Sequence, residues 1–401
     1  MIAQEDIVCI STSEWDFLWT RKQRLMARLA KQGNRVLYVD PAYASRSERL
    51  GPKKGYRVAY GTHVRQVSES LWVMTPPLSL PFGRFHWSRN LSDRWLAKEI
   101  REFLAEQRFR LPILWIYWPI TIALLERIPY KLLIYEAVDD IAEYPTFDAA
   151  MRRFIRECET EIVKRADLVF VTSPELLKRR AELNPNIFVS SNGVDVQLFS
   201  TAQDPTVDVP NDLRGLPRPI LGFIGGIAPW TDLDLAIEVA LRKPNWSIVL
   251  IGPVDSGIDI ERFNGVKNVH FFGRRPPELL PSYLKGIDVC LNLFKRTPLT
   301  QAVNPLKVYE YLAAGKPVVS TPMPEVEKFG EMVSVADSPD AFVDEIERAI
   351  ACRAHPEQIK RRMDAVGPYS WDVIFDQAME QVDRQLQKVA GRSPSGGRRG
   401  T

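Results

Sequence analysis

The stretch Asn304–Val319, NPLKVYEYLAAGKPVV, has the grammar of a helix that feeds directly into a strand. Asn304 suits the cap, Pro305 the first helical position, and Gly315 the left-handed residue just past the end. A helix is therefore expected over Pro305–Ala314 and a buried strand over Pro317–Ser320. The open amides at such a helix start make an anion site, with Lys307 three residues past the cap and Glu310 one turn further on. That pattern suits a phosphate at Lys307 and sugar hydroxyls at Glu310. It is equally the pattern of an ordinary α/β unit carrying an exposed i,i+3 pair.

Working outward, the helix and strand close a longer alternating series. Strand Ile220–Ile224 is followed by helix Leu233–Leu241, strands Ser247–Ile251 and Val269–Phe272, helix Pro277–Lys285 and strand Val289–Leu293. An earlier series precedes it. Strand Ile7–Ile10, helix Thr20–Gln32 and strand Arg35–Val39 give the strand-helix-strand order of a parallel sheet. Between Pro41 and Pro81 loops are expected, apart from a strand at Leu71–Met74. Helix Leu91–Gln107, strand Ile113–Tyr117, strand Leu132–Tyr135, helix Thr146–Arg165, strand Leu168–Thr172 and strand Ile187–Ser190 complete the first half. Pro205–Pro219 is proline-rich and reads as a boundary, and a last amphipathic helix runs from Trp371 to Val389. The class is α/β, with two doubly wound, Rossmann-like domains.

Charge and cysteine content narrow the partners. A net charge of +3 with 26% charged residues lacks the basic excess of a nucleic-acid binder. The four cysteines, Cys9, Cys158, Cys290 and Cys352, form no CxxC pair and suggest reduced thiols in a cytoplasmic protein. His63, His86, His270 and His355 are isolated, and the acidic pairs Asp139-Asp140 and Asp232-x-Asp234 have no His or Cys beside them, so no metal is expected. The start, MIAQEDIVCI, lacks a basic region followed by a long apolar core, so no signal peptide is expected, and no apolar run is long enough to span a bilayer. The tail from Gly391 is Gly, Ser and Arg rich and is expected to be disordered.

Two such domains would set a cleft between the carboxyl ends of two parallel sheets, and the distinctive residues do fall at strand ends. Gly225 and Gly226 follow one strand, Gly252 the next, and Gly273 with Arg274 and Arg275 the next. Phe294 and Lys295 follow a fourth, and Asn192-Gly193-Val194-Asp195 ends the first half. Glycines let backbone approach a phosphate, while Arg274, Lys295 and Lys307 supply charge. The absence of GKS, GKT and GxGxxG argues against an NTPase and a nicotinamide enzyme. In the first half Asp16 and Arg21 follow the first strand, and Asp139 and Asp140 follow LLIYEAV, where acceptor binding and helix capping are both open.

The order NGVD, FIGGIAPWTD, FFGRRPPELLPSYLKGIDVCLNLFK, NPLKVYEYLAAGKPVVS and YSWDVIFDQ resembles GT-B glycosyltransferases of the retaining, nucleotide-sugar-using kind. The similarity is nearest to bacterial members that build surface polysaccharides and teichuronic-acid-like polymers. In the first half it rests on WDFLWTRKQRLMARL, YEAVDDIAEYP and ADLVFVTSPEL. The resemblance implies an acceptor domain over residues 1–200, a linker over 201–219 and a nucleotide-sugar domain over 220–368. It further implies a helix over 369–390 crossing back to the first domain, before the tail over 391–401. Carried onto this chain, Glu310 matches the carboxylate that grips the nucleotide ribose, and Lys307 lies near the diphosphate. Many relatives carry another Glu where Ala302 stands, which leaves Thr300, Gln301 and Asn304 as polar groups for the sugar and phosphate. A basic pair of the relatives is replaced here by residues around Ala228, Pro229, Trp230 and Asp232.

The expected site is accordingly Lys307, Asp139 and Asp140 for catalysis. Glu310, Asn304, Thr300, Gly225, Gly226, Arg274, Lys295, Asn192, Asp16 and Arg21 are expected to bind substrate, with no metal or cofactor. The expected partners are a nucleotide-sugar donor and a glycan or lipid-linked glycan acceptor, at the inner face of a membrane if Trp15, Trp19 or Trp87 rests on lipid. Two other functions fit less well. A GT-B sugar-nucleotide epimerase needs acid/base residues that a histidine-poor chain lacks, and a non-catalytic nucleotide- or glycan-binding module is suggested by Ala302 and the missing basic pair.

Overall fold

The computed structural model describes residues 2–41, 61–77 and 86–391, with side chains from residue 90 in the last of these. The tail from residue 392, Arg84, and the side chains of His86 and Trp87 lie outside the described residues. The chain forms two compact units, Met1–Ser190 with Phe375–Thr401, and Ser191–Ile374.

The first unit runs β1 (Asp6–Ile10), α1 (Arg21–Lys31), β2 (Arg35–Val39), β3 (His63–Ser68), β4 (Leu71–Thr75), α2 (His86–Glu106), β5 (Ile113–Ile116), β6 (Leu132–Ala137), α3 (Ala149–Arg165), β7 (Leu168–Val171) and β8 (Ile187–Val189). Among the described residues the strands form one sheet in the order β3-β4-β2-β1-β5-β6-β7-β8. All pairings are parallel except β3 with β4. The strands β1, β5, β6 and β7 are buried throughout, as expected of short apolar runs covered on both faces. Strand β3 was expected as loop. Its sequence, HVRQVS, is almost wholly exposed, so no apolar alternation marks it, and only its pairing with β4 makes it a strand.

The second unit continues with β9 (Ile220–Ile224), α4 (Leu233–Arg242), β10 (Ser247–Ile251), β11 (Val269–Gly273), β12 (Val289–Asn292), α5 (Leu306–Ala313), β13 (Val318–Ser320) and β14 (Val333–Val335). The order is β11-β10-β9-β12-β13-β14, parallel throughout. Side chains sort by the period of two. Ile220 and Ile224 of β9 face one core with Val308, Tyr309 and Tyr311 of α5, while Leu221 and Phe223 face another with Leu235, Ala236 and Val239 of α4. Pro205–Pro219 packs into this unit, with Val209 and Leu213 closing on Gly286 and Arg218 paired to Asp288 at 2.8 Å. The closing helix α6 (Trp371–Ala390) crosses the division. From Phe375 it belongs to the first unit, where Phe375, Ala378, Met379 and Val382 complete the core.

The helix start at the centre of the sequence pattern differs from expectation by one residue and in its cap. Helix α5 begins at Leu306, Pro305 holds the cap position, and no side chain caps it. Gly315 does take the left-handed conformation, with φ +69°.

Candidate functional site

In the second unit the strand order reverses between β9 and β12, and ligands of such sheets lie outside the carboxyl ends at that reversal. There the backbone is drawn tightly together. The Gly225 N–H donates to the Ile251 carbonyl at 2.8 Å, and the Gly252 N–H to the Gly273 carbonyl at 3.0 Å. Gly225 and Gly252 hold φ of +149° and +153°. A side chain on Gly252 would collide with the Gly225 carbonyl, whereas one on Gly226 would meet open space. The turn after β9 thus rests on the turn after β10 and leaves its Gly226 edge uncovered.

Lys307, the second residue of α5, reaches this turn. Its Nζ lies 4.1 Å from the ring centroid of Phe223 and 4.4 Å from that of Phe294. A Cβ on Gly225 would sit 2.9 Å from its Cε and 3.2 Å from its Nζ. Among the described residues Lys307 makes no hydrogen bond or ion pair, and burial pushes its pKa down to about 7 against the opposing pull of Glu310. The two aromatic faces partly offset the lost hydration of the ammonium. Tyr311 fixes the helix against the same strand end: its hydroxyl accepts from the Ile224 N–H at 2.7 Å and donates to the Ile224 carbonyl at 3.2 Å. Glu310 is half-buried one turn from Lys307.

The remaining expected residues of this unit take varied places. Asn304 does not cap α5. Its side chain donates to Glu325 and accepts from the Asn192 N–H at 3.4 Å, and its carbonyl accepts from the Asn192 side chain at 2.8 Å. The two asparagines are therefore brought together and positioned before the helix. Thr300 is buried and uses its hydroxyl inside its own loop, accepting from the Thr297 N–H at 3.0 Å and donating to the Lys295 carbonyl. Lys295 is half-buried at the end of β12, its N–H bonded to the Trp230 carbonyl at 2.9 Å. Arg274 is exposed beyond β11. Ala302 is fully buried. Asp232 caps α4 through the Leu235 N–H at 3.0 Å and Asp234 pairs with Arg262, which accounts for that acidic pair. Among the described residues no group of three potential metal ligands occurs.

The first unit places the rest of the expected set as follows. Arg21 is 1% exposed and pairs with Glu136, which also accepts from the Trp115 ring N–H at 2.8 Å. It is an internal ion-pair residue. Asp140 is buried and paired with Arg179 at 2.5 Å and Arg180 at 3.9 Å. Asp16 is exposed and paired with Arg65 at 2.5 Å. Asp139 is half-buried after β6, accepts from the Tyr144 hydroxyl at 2.9 Å, and has its pKa raised by burial against the pull of Lys22. Trp15 is buried against Tyr38 and Trp19, its ring 5.0 Å and 5.3 Å from theirs, while Trp19 is exposed beside Arg24. Sequence reasoning missed Phe223, Tyr311 and Lys22. An apolar strand end, a helical Tyr and a basic residue in a basic run are unremarkable until the fold places them.

The two Rossmann-like units make this a GT-B fold, and residues 218–352 match the family described as Glycosyl transferases group 1. Over 246 residues the chain is 31% identical to TuaH of Bacillus subtilis (strain 168), whose name assigns it to teichuronic acid biosynthesis as a glycosyltransferase. The match covers 58% of this chain and 61% of that protein. Among solved structures, sucrose-phosphate synthase of Thermosynechococcus elongatus superposes with a TM-score of 0.71 at 16% identity, covering 96% of this chain and 99% of that one. HepE of Anabaena, solved with UDP and glucose, gives 0.64 at 14% identity over 94% of this chain and 99% of that one.

Proposed function

We propose that the chain is a glycosyltransferase that moves a sugar, with retention and without a metal, from a nucleotide-sugar to a glycan or lipid-linked glycan in cell-surface polysaccharide assembly. The observation that carries this is the Lys307 ammonium, held against Gly225 between Phe223 and Phe294 with, among the described residues, no anionic side chain in an ion pair with it. Breaking the bond between the anomeric carbon and the diphosphate oxygen leaves an oxocarbenium-like sugar, and the electron pair goes to the diphosphate. Lys307 and the positive end of α5 are fixed where that charge grows, so they need no reorganisation at the moment of reaction. The acceptor hydroxyl attacks on the face the leaving group vacates and passes its proton to the departing phosphate oxygen. Glu310 takes the ribose hydroxyls, Gly226 offers open backbone, and the first unit binds the acceptor at Asp139.

Support also comes from solved structures of similar fold. HepE was solved with UDP, and a trehalose-6-phosphate protein of E. coli was solved with UDP-2-fluoro glucose. No described helix is long and apolar enough to cross a membrane. The proposed location is cytoplasmic, with exposed Phe17 and Trp19 as a contact for the inner membrane face.

Two results test this. Glu310→Ala should weaken nucleoside diphosphate binding by about 1–3 kcal/mol, the loss of a hydrogen bond to a charged group; unchanged affinity by calorimetry would remove the ribose role. Transfer should survive a chelator, because Lys307 and α5 supply the positive field; a strict magnesium requirement would overturn the metal-free mechanism.

The fully buried Ala302 supports one other function, a nucleotide-binding module without transfer. Tight diphosphate binding with no turnover in any acceptor mixture would favour that module.

A further inference from the structure

Helix α5 begins beside an asparagine that does not cap it. An Asn at such a place commonly turns its side-chain oxygen onto the amide two residues on, which here is that of Leu306. Asn304 is turned elsewhere by Glu325. Glu325 is 4% exposed, in the short helical turn Pro324–Glu327 after β13, and its carboxylate accepts from the Asn304 side chain. A carboxylate only accepts, so it takes the NH2 side of that amide. The Asn304 side-chain oxygen is left to the Asn192 N–H, at 3.4 Å.

Glu325 is itself held in place. Lys328 Nζ donates to its Oε2 at 2.8 Å and to the Tyr309 hydroxyl at 2.8 Å. The same ammonium lies 4.8 Å from the ring centroid of Tyr369, 5.2 Å from that of Tyr309 and 5.5 Å from that of Phe329, and these faces offset part of its lost hydration. Tyr309 stands one turn past Pro305, so one ion pair grips α5 through Tyr309 and through the residue ahead of its cap. A buried ion pair adds little stability over an apolar pair of its size, so its place beside the helix start calls for another reason. Among the described residues no side chain caps α5, and the first bonded amide is that of Val308, which donates to the Pro305 carbonyl at 3.1 Å. The Leu306 and Lys307 amides are left open on the turn that carries the Lys307 ammonium.

We propose that Glu325 is a positioning residue of the donor site: by holding the Asn304 side chain off α5 it keeps the Leu306 and Lys307 N–H groups free for a diphosphate. This rests on the glycosyltransferase proposal, since that assigns the diphosphate to the start of α5. Glu325 acts through Asn304 and not on the ligand. Once freed, the Asn304 oxygen would accept from the Leu306 N–H and compete with the diphosphate for it.

The test uses the full chain and calorimetry with UDP, GDP, ADP and dTDP. Glu325→Met combined with Lys328→Met removes the ion pair as a unit, so no unpaired charge stays buried while Asn304 is released. This double variant should fold and should bind the wild type's tightest diphosphate about 10- to 100-fold more weakly, the loss of one hydrogen bond to a charged group. Adding Asn304→Ala removes the competing oxygen and should recover most of that affinity. The recovery separates positioning from support of the fold, because deleting one more buried side chain does not repair packing. Glu325→Gln keeps an acceptor for the Asn304 side chain and should bind close to the wild type. A double variant that binds as tightly as the wild type, or that does not fold, would overturn the proposal. So would a triple variant no better than the double, or a Glu325→Gln variant as weak as the double. A wild type that binds none of the four would overturn the donor site and this proposal together, whereas the other contrary outcomes leave the donor site standing.

Discussion

Lys307→Met should lower kcat by a factor of about 100 to 1,000, corresponding to roughly 3–4 kcal/mol of lost stabilisation of the leaving diphosphate. Methionine keeps an apolar stem between Phe223 and Phe294, so the change removes charge while retaining most of the packing. The melting temperature should hold or rise, because the ammonium is desolvated in the free protein. A fall in kcat with intact folding separates a charge that acts on the reaction from one that supports the fold. The pH dependence follows from the same group. Its pKa is held at about 7 by burial, and a bound diphosphate would raise it again. The charged form is the binding form, so nucleoside diphosphate affinity is full below pH 7. Above it, affinity should fall by up to about tenfold per pH unit, with proton uptake on binding. Calorimetry in two buffers of different ionisation enthalpy would show that uptake in the wild type, and Lys307→Met should lose it.

Gly252→Ala should disrupt the donor site through the backbone. Gly252 holds φ +153°, which costs a non-glycine residue about 1–3 kcal/mol. The added methyl would also collide with the Gly225 carbonyl and lie 2.6 Å from its carbon, for a further cost of about 1–3 kcal/mol. Two turns that support each other must then separate, and the one that moves carries Gly225 away from Lys307. Gly226→Ala is the matched control, since its methyl would meet open space in the free protein. Gly252→Ala should melt several degrees lower and lose nucleotide binding. Gly226→Ala should keep its melting temperature, and any loss of affinity would report a ligand lying against that glycine.

Much of this was legible in the sequence, and the exceptions have physical causes. The strands of both sheets are short apolar runs closed by turn residues, and glycines marked the ends where backbone meets backbone. The edge strand β3 escaped because its residues are exposed on nearly every position. Asn304 looked like a cap, but its side chain is held by Asn192 and Glu325, partners 112 and 21 residues away in the chain. Asp139 and Asp140 were indistinguishable as a pair. Arg179 and Arg180 occupy the second, and only tertiary structure shows that. Arg21 and Lys22 likewise read as one basic run, yet Glu136 neutralises the first, while the second meets the Tyr117 ring and, among the described residues, makes no hydrogen bond. Local patterns identified the strand ends; which polar groups there are already satisfied depends on residues remote in sequence.

The central claim is that Lys307 and the glycine turn after β9 hold a nucleoside diphosphate. The direct measurement is a melting series with UDP, GDP, ADP and dTDP, and their monophosphates, on the wild type and Lys307→Met. Ligand binding raises apparent stability by mass action. At least one diphosphate should stabilise the wild type well beyond its monophosphate, and that difference should vanish in Lys307→Met. A wild type that responds to none of them, or a Lys307→Met variant that responds as strongly, would contradict the claim.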